Sequence, residues 1–176
     1  AFYLLGSWPV NEETAWDHPK TKVVLEFLKR NALKIEVWVV YRGEGAAEPA
    51  NDEAKYESAA RRVGVLADVI NKLGCRLAIY NHGGWGGEPT NMVAVCQALR
   101  KQGHEQVGIV YNFHHGHGHV EDFQKTLTAM KSYLHCLNLN GMSGKNQKFQ
   151  KTLPIGKGQN EQAMMQAVQD SGYQGP

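Results

Sequence analysis

The sequence predicts an α/β protein built on a parallel sheet, and two observations carry that prediction. Short apolar runs of strand length alternate with longer stretches of helical periodicity in unbroken order. The runs also end alike, each passing into a polar residue: Tyr41-Arg42, Tyr80-Asn81, Tyr111-Asn112 and Leu139-Asn140. Asn81, Asn112 and Asn140 follow one another at 31 and 28 residues, close to the length of one strand–helix unit.

The elements follow in order. Phe2 to Leu5 opens the chain as a strand, and Lys20 to Leu33 has helical spacing. Ile35 to Tyr41 (IEVWVVY) is too short for a helix and rich in β-branched and aromatic residues, so it reads as a buried strand. Asp52 to Leu73 places Ala59, Val63, Leu66, Ile70 and Leu73 on one helical face, and Gly74 stands where a left-handed terminator is wanted. Arg76 to Tyr80 (RLAIY) is the next strand. Thr90 to Gln102 follows the start signal Glu88-Pro89 and aligns Met92, Val95, Cys96 and Leu99. Val107 to Tyr111 is a strand, Val120 to Leu134 a helix, His135 to Leu139 a strand, and 152–155 a short sixth strand. A last helix runs from Asn160 to Asp170 and closes at Ser171-Gly172.

Repeated strand–helix units require right-handed crossovers and a parallel sheet, whose ligands bind at the carboxyl ends of the strands. No GxGxxG follows the first strand, and Gly83-Gly84-Trp85-Gly86-Gly87 lacks the lysine and hydroxyl of a phosphate-binding P-loop. A barrel is therefore expected over a doubly wound nucleotide-binding sheet. Six strands fall short of the eight that closure needs. The expectation is a single domain over residues 1–176 forming an incomplete barrel, without its first βα unit and its last strand.

Composition removes several function classes. With 176 residues, 42% of them hydrophobic and 20% charged, the chain has the make-up of a folded globular domain. No apolar run reaches the roughly 20 residues of a membrane helix. A net charge of +2 gives no reason to expect a nucleic-acid partner. Cys75, Cys96 and Cys136 are an odd number without CxxC spacing, so neither a disulfide framework nor a thiolate zinc site is expected. A reducing, cytoplasmic setting is the expectation.

Two loops concentrate chemistry. Asn112-Phe113-His114-His115-Gly116-His117-Gly118-His119 holds four of the eight histidines just past a strand. Neutral imidazole ligates metals, and intervening glycines let one loop bring several nitrogens to one ion; adjacent loop histidines can equally stand in water. Asn81-His82-Gly83-Gly84-Trp85-Gly86-Gly87-Glu88 is the second loop: its glycines allow close backbone approach, Trp85 offers an apolar face to a sugar ring, and Glu88 is its carboxylate. Glu88 can instead serve the dipole of the helix that follows. The segment from Lys145 to Gly158 gathers Lys145, Lys148, Lys151 and Lys157 and suits a phosphate, although a basic loop is often only solvated.

At these residues the sequence resembles the xylose isomerase-like TIM-barrel superfamily, in particular its sugar phosphate isomerase/epimerase group. Tyr80-Asn81-His82, Asn112-Phe113-His114-His115, Asn138-Leu139-Asn140-Gly141, Pro154-Ile155-Gly156-Lys157-Gly158-Gln159 and Gly172-Tyr173-Gln174-Gly175-Pro176 stand in the order of that group's motifs, over residues 76 to 176. The resemblance implies proton or hydride transfer between neighbouring sugar carbons, assisted by a divalent metal. It also marks departures: Tyr80 replaces a metal-binding Glu, Asn112 an Asp and Asn138 a His.

The expected assignments are these. Glu88, His115 and His117 are catalytic candidates, with Glu44 as another carboxylate. Asn81, His82, Trp85, Asn112, Asn138, Asn140 and Lys157 bind substrate. A weak site for Zn²⁺, Mn²⁺ or Co²⁺ centres on His115, with His114 or His117 as second ligand. The function is a sugar or sugar-phosphate isomerase/epimerase. The alternatives are a non-catalytic sugar-binding barrel and a metal-dependent phosphodiesterase of the endonuclease IV kind.

Overall fold

The structure is a computed structural model and describes residues 2–6, 17–43, 51–144 and 152–176. Five strands, β1 (Phe2–Gly6), β2 (Glu36–Val39), β3 (Arg76–Tyr80), β4 (Gly108–Asn112) and β5 (Leu134–Asn138), form one sheet in the order β1-β2-β3-β4-β5. Every neighbouring pair is parallel. Helices α1 (Pro19–Arg30), α2 (Asp52–Lys72), α3 (Pro89–Lys101) and α4 (Phe123–Met130) each join consecutive strands, and α5 (Glu161–Asp170) follows β5. A doubly wound sheet reverses its strand order partway across; this one does not, so the winding is that of a (β/α) barrel. Among the described residues the sheet is open, with β1 and β5 at its edges.

Local chemistry sets the helix starts. Pro19 and Pro89 occupy first-turn positions, where the missing N–H costs nothing. The Asn51 side chain accepts from the Ala54 N–H at 2.8 Å, and His18 Nδ1 accepts from the Lys20 N–H at 3.2 Å. The helix expected over 120–134 is shorter, because a 3-10 turn at Lys131–Tyr133 delivers the chain into β5 at Leu134. The sixth strand near 152–155 is corrected to a single antiparallel bridge between Leu153 and Gly141. Pro154 has no N–H with which to continue a ladder, and Gly156 turns the chain at φ 86°.

Strand parity divides the buried side chains. Val37, Val39, Leu77, Ile79, Ile109 and Tyr111 face the helices and meet Val63, Leu66, Ile70, Met92, Val95, Leu99 and Leu127 in the main core. The alternate residues, Trp38, Val40, Ala78, Tyr80 and Val110, form a second cluster, against which Cys136 packs. Phe2 lies flat on Trp38 at 3.7 Å between ring centroids. At the β1 edge Phe2, Tyr3 and Leu4 stay exposed, beside an apolar groove that Val23, Phe27 and Leu33 help to line.

The strand starts on this inner face are closed by a buried carboxylate. Glu36 accepts from Trp38 Nε1 at 2.9 Å, meets His135 Nδ1 at 3.0 Å and pairs with Arg76 at 3.3 Å. His135 reaches across β4 because Gly108 leaves the space: a Cβ there would lie 2.3 Å from the imidazole. Burial alone would raise the Glu36 carboxyl, but the hydrogen bonds from His135 and Trp38 and the charges of His135 and Arg76 hold it below its ordinary value of 4.5. A depressed carboxyl contributes stability that is in place above the unfolded value and lost as pH falls through the folded one. Thermal melts should therefore show stability declining as the pH is taken down from about 4.5. Glu36→Gln should lower stability at neutral pH and flatten that acid limb.

Candidate active site at the strand ends

β3 and β4 end side by side, and Asn81 holds them together. Its side chain is buried, accepting from the Asn112 backbone N–H at 2.8 Å and donating to the Asn112 carbonyl at 3.0 Å. An amide side chain thus extends the parallel ladder by one step after the β3 backbone has turned away. The Asn112 side chain lies on the inner face; its Nδ2 donates to the Tyr80 hydroxyl at 2.9 Å and its Oδ1 accepts from the His114 N–H at 2.9 Å. Asn138 at the end of β5 stands opposite Asn112 in register.

Around this amide core the rings gather. His82 and His115 approach to 4.2 Å between centroids. Tyr80 meets His115 edge-on at 5.3 Å, His82 at 5.8 Å and Trp38 at 5.6 Å. Asn81, His82, Asn112, His115 and Asn138 therefore share one rim, at the carboxyl ends of neighbouring strands. Burial raises the Tyr80 phenol, and the hydrogen bond from Asn112 offsets only part of that rise, so it stays protonated at neutral pH.

His114 joins this cluster, edge-on to His115 at 4.6 Å between centroids, and the remaining candidates take other places. His114 Nδ1 meets Thr152 Oγ1 at 2.7 Å, tying the histidine loop to the segment after residue 151. His117 is buried with Nε2 3.0 Å from the Ser143 carbonyl; that nitrogen carries the proton and is not a ligand in this arrangement. Glu88 bonds His119 Nε2 at 3.0 Å, and His119 Nδ1 lies 3.6 Å from Asp122, so these groups join the two loops outside the ring cluster. Trp85 packs between α2 and the strand ends, stacked on Tyr56 at 5.3 Å, edge-on to Tyr41 at 6.1 Å and with Lys55 over its ring. Its faces are occupied by the protein, where a sugar platform was expected. Asn140 donates to the Gly141 carbonyl at 2.9 Å. Lys157 is exposed in the turn after Pro154, while Glu44, Lys145, Lys148 and Lys151 lie outside the described residues.

Tyr80 and Trp38 belong to this site and were not among the expected site residues. Strand parity was the available signal: Trp38, Tyr80 and Asn112 fall on the inner phase of their strands.

A hard divalent cation does not fit the groups at this rim. They are a protonated phenol, amides and imidazoles, and hard cations prefer anionic oxygens. Among the described residues no three His, Cys, Asp or Glu side chains gather into a group that could hold a metal. His114 and His117, the expected second ligands, each have one ring nitrogen engaged, with Thr152 and Ser143 respectively.

A parallel, consecutively wound sheet with its polar groups on the carboxyl rim defines a (β/α)-barrel protein. Residues 23–176 match the family described as xylose isomerase-like TIM barrel, and the chain belongs to that family. Solved structures share the fold at low identity. A xylose isomerase domain-containing protein from Salmonella typhimurium LT2 is 15% identical with a TM-score of 0.72, covering 99% of this chain and 64% of that one. The probable 3-DHS dehydratase AsbF of Bacillus anthracis is 12% identical (TM-score 0.69, 96% and 66% covered). A D-psicose 3-epimerase from Clostridium cellulolyticum H10, solved with D-tagatose, is 15% identical (TM-score 0.63, 96% and 58%). The chain thus spans less than two thirds of the length of each of these three. None of the curated proteins compared matches it. Among the described residues no helix is long and apolar enough to cross a membrane.

Proposed function

We propose that this rim binds a small sugar and supports its isomerisation or epimerisation by proton transfer between adjacent carbons. The observation that carries the reading is the pair of imidazoles, His82 and His115, held 4.2 Å apart beside Tyr80, Asn112 and Asn138 at the strand ends. Amide and phenol groups donate to and accept from hydroxyls without charge, which suits a polyol. Imidazole titrates near neutrality and can take or return a proton at carbon. His115, with Tyr80 against its edge, is the proposed base, and His82 its partner. Asn81 positions Asn112 and does not itself reach the ligand. No step is routed through a metal. For a phosphorylated sugar, Lys157 is the described cation beyond Thr152 that could meet the phosphate.

The neutral donor set favours one second reading, a barrel that binds sugar without turning it over. Incubation in D₂O with D-fructose, D-tagatose and D-psicose separates the two. The catalytic reading expects deuterium at the carbon next to the carbonyl and formation of an epimer or isomer, unchanged by EDTA. Calorimetric binding without deuterium uptake supports the non-catalytic barrel. Turnover that appears only with added Mn²⁺, Co²⁺ or Zn²⁺ overturns the metal-free assignment.

A further inference from the structure

We propose that the Tyr80 hydroxyl donates a hydrogen bond to an oxygen of the bound sugar, its proton kept available for that use by the side chain of Asn112. The inference rests on the sugar-binding reading above and names the group that polarises the ligand.

Donors and acceptors fix the orientation of these groups. A backbone N–H can only donate, so the Asn112 atom that faces the His114 N–H at 2.9 Å is Oδ1. The amide nitrogen must then be the atom 2.9 Å from the Tyr80 hydroxyl. An amide nitrogen has no lone pair to offer, so the phenol oxygen accepts in this contact and its own O–H points elsewhere. Turning the Asn112 amide over would set its NH₂ against the His114 N–H, donor against donor, so the arrangement is not reversed. Tyr80 itself is buried and walled by Trp38, His82 and His115. Its phenol stands where the resemblance placed a metal-binding glutamate. A phenolic O–H supplies a ligand oxygen with directed positive charge, as a cation would, but without requiring an anionic cage. Burial keeps that proton on the oxygen at neutral pH.

The test is calorimetry of the full chain with D-fructose, D-tagatose and D-psicose and their monodeoxy analogues, with and without EDTA. The unaltered chain should bind at least one parent sugar about tenfold more tightly than one of its deoxy analogues, the ratio worth one hydrogen bond. Tyr80→Phe should bind parent and analogue alike, with its melting temperature within a few degrees of the parent chain. Asn112→Asp leaves the phenol in place but offers it a carboxylate acceptor, which draws the proton away from the ligand. The same loss of preference is expected, and this variant serves if Tyr80→Phe does not fold. Preference retained in either folded variant overturns the inference and leaves the sugar-binding reading standing. Binding abolished by EDTA overturns it as well, since a cation would then do the polarising. If no sugar binds the unaltered chain, the sugar-binding reading falls and takes the inference with it.

Discussion

Asn81→Leu should destabilise the chain by about 2–4 kcal/mol, the sum of a lost hydrogen bond and a buried donor left without a partner. The shape is nearly conserved, so the effect isolates the amide. The Asn112 carbonyl keeps the His115 and Gly116 N–H groups at 3.1 and 3.0 Å, but the Asn112 N–H loses the Asn81 oxygen, its acceptor at 2.8 Å. Urea unfolding monitored by far-ultraviolet circular dichroism checks the size of the loss. Asn81→Asp sharpens the test through its sign. One carboxylate oxygen can still accept from the Asn112 N–H, but the other is left facing a carbonyl. The folded state then favours the protonated acid, so the variant should recover stability as the pH falls. A variant that behaves like the parent chain at every pH would show that the amide does not carry the strand junction.

His115→Ala should lower turnover of any sugar the chain processes by about 10²–10⁴-fold, the range for removing a positioned acid or base. His115 is only partly buried, so the fold should survive with little change in melting temperature. His82→Ala should cost less if His115 is the base. Deuterium uptake from D₂O measures both. Turnover that survives in His115→Ala but disappears in His82→Ala would exchange the two roles. Turnover unaffected by either would remove the imidazoles from the reaction.

Much of this layout was legible in the sequence because strand ends and helix starts are written in local chemistry. Tyr80-Asn81-His82 and Asn112 to His115 announced where β3 and β4 finish, and Glu88-Pro89 announced α3. What each rim residue does was less legible, since spacing says which loop a residue sits on and not which backbone atoms wait opposite. Asn81 looked like a ligand group and is a splice between two strands. The histidines of residues 114–119 looked like a pooled ligand set; His114 does stand 4.6 Å from His115, but Ser143 and Glu88, each distant in sequence, bond His117 and His119. Glu36 passed unnoticed inside an apolar run, although a carboxylate there has to find partners; its partners start other strands. The strand expected near 152–155 failed at Pro154, whose missing N–H was visible from the outset.

The β1 edge bears on how this chain should behave at high concentration. Phe2, Tyr3 and Leu4 are 57, 43 and 42% exposed on a strand whose outer N–H and C=O groups have, among the described residues, no neighbouring strand in the sheet. Such an edge is a template for intermolecular pairing, and an adjoining apolar groove strengthens the attachment. Self-association should therefore grow with concentration, begin at β1 and leave the rim at the far ends of β3 and β4 open. Light scattering would rise in concentrated samples while ligand binding per chain stayed constant, so colloidal loss and loss of activity would be separable in the same preparation.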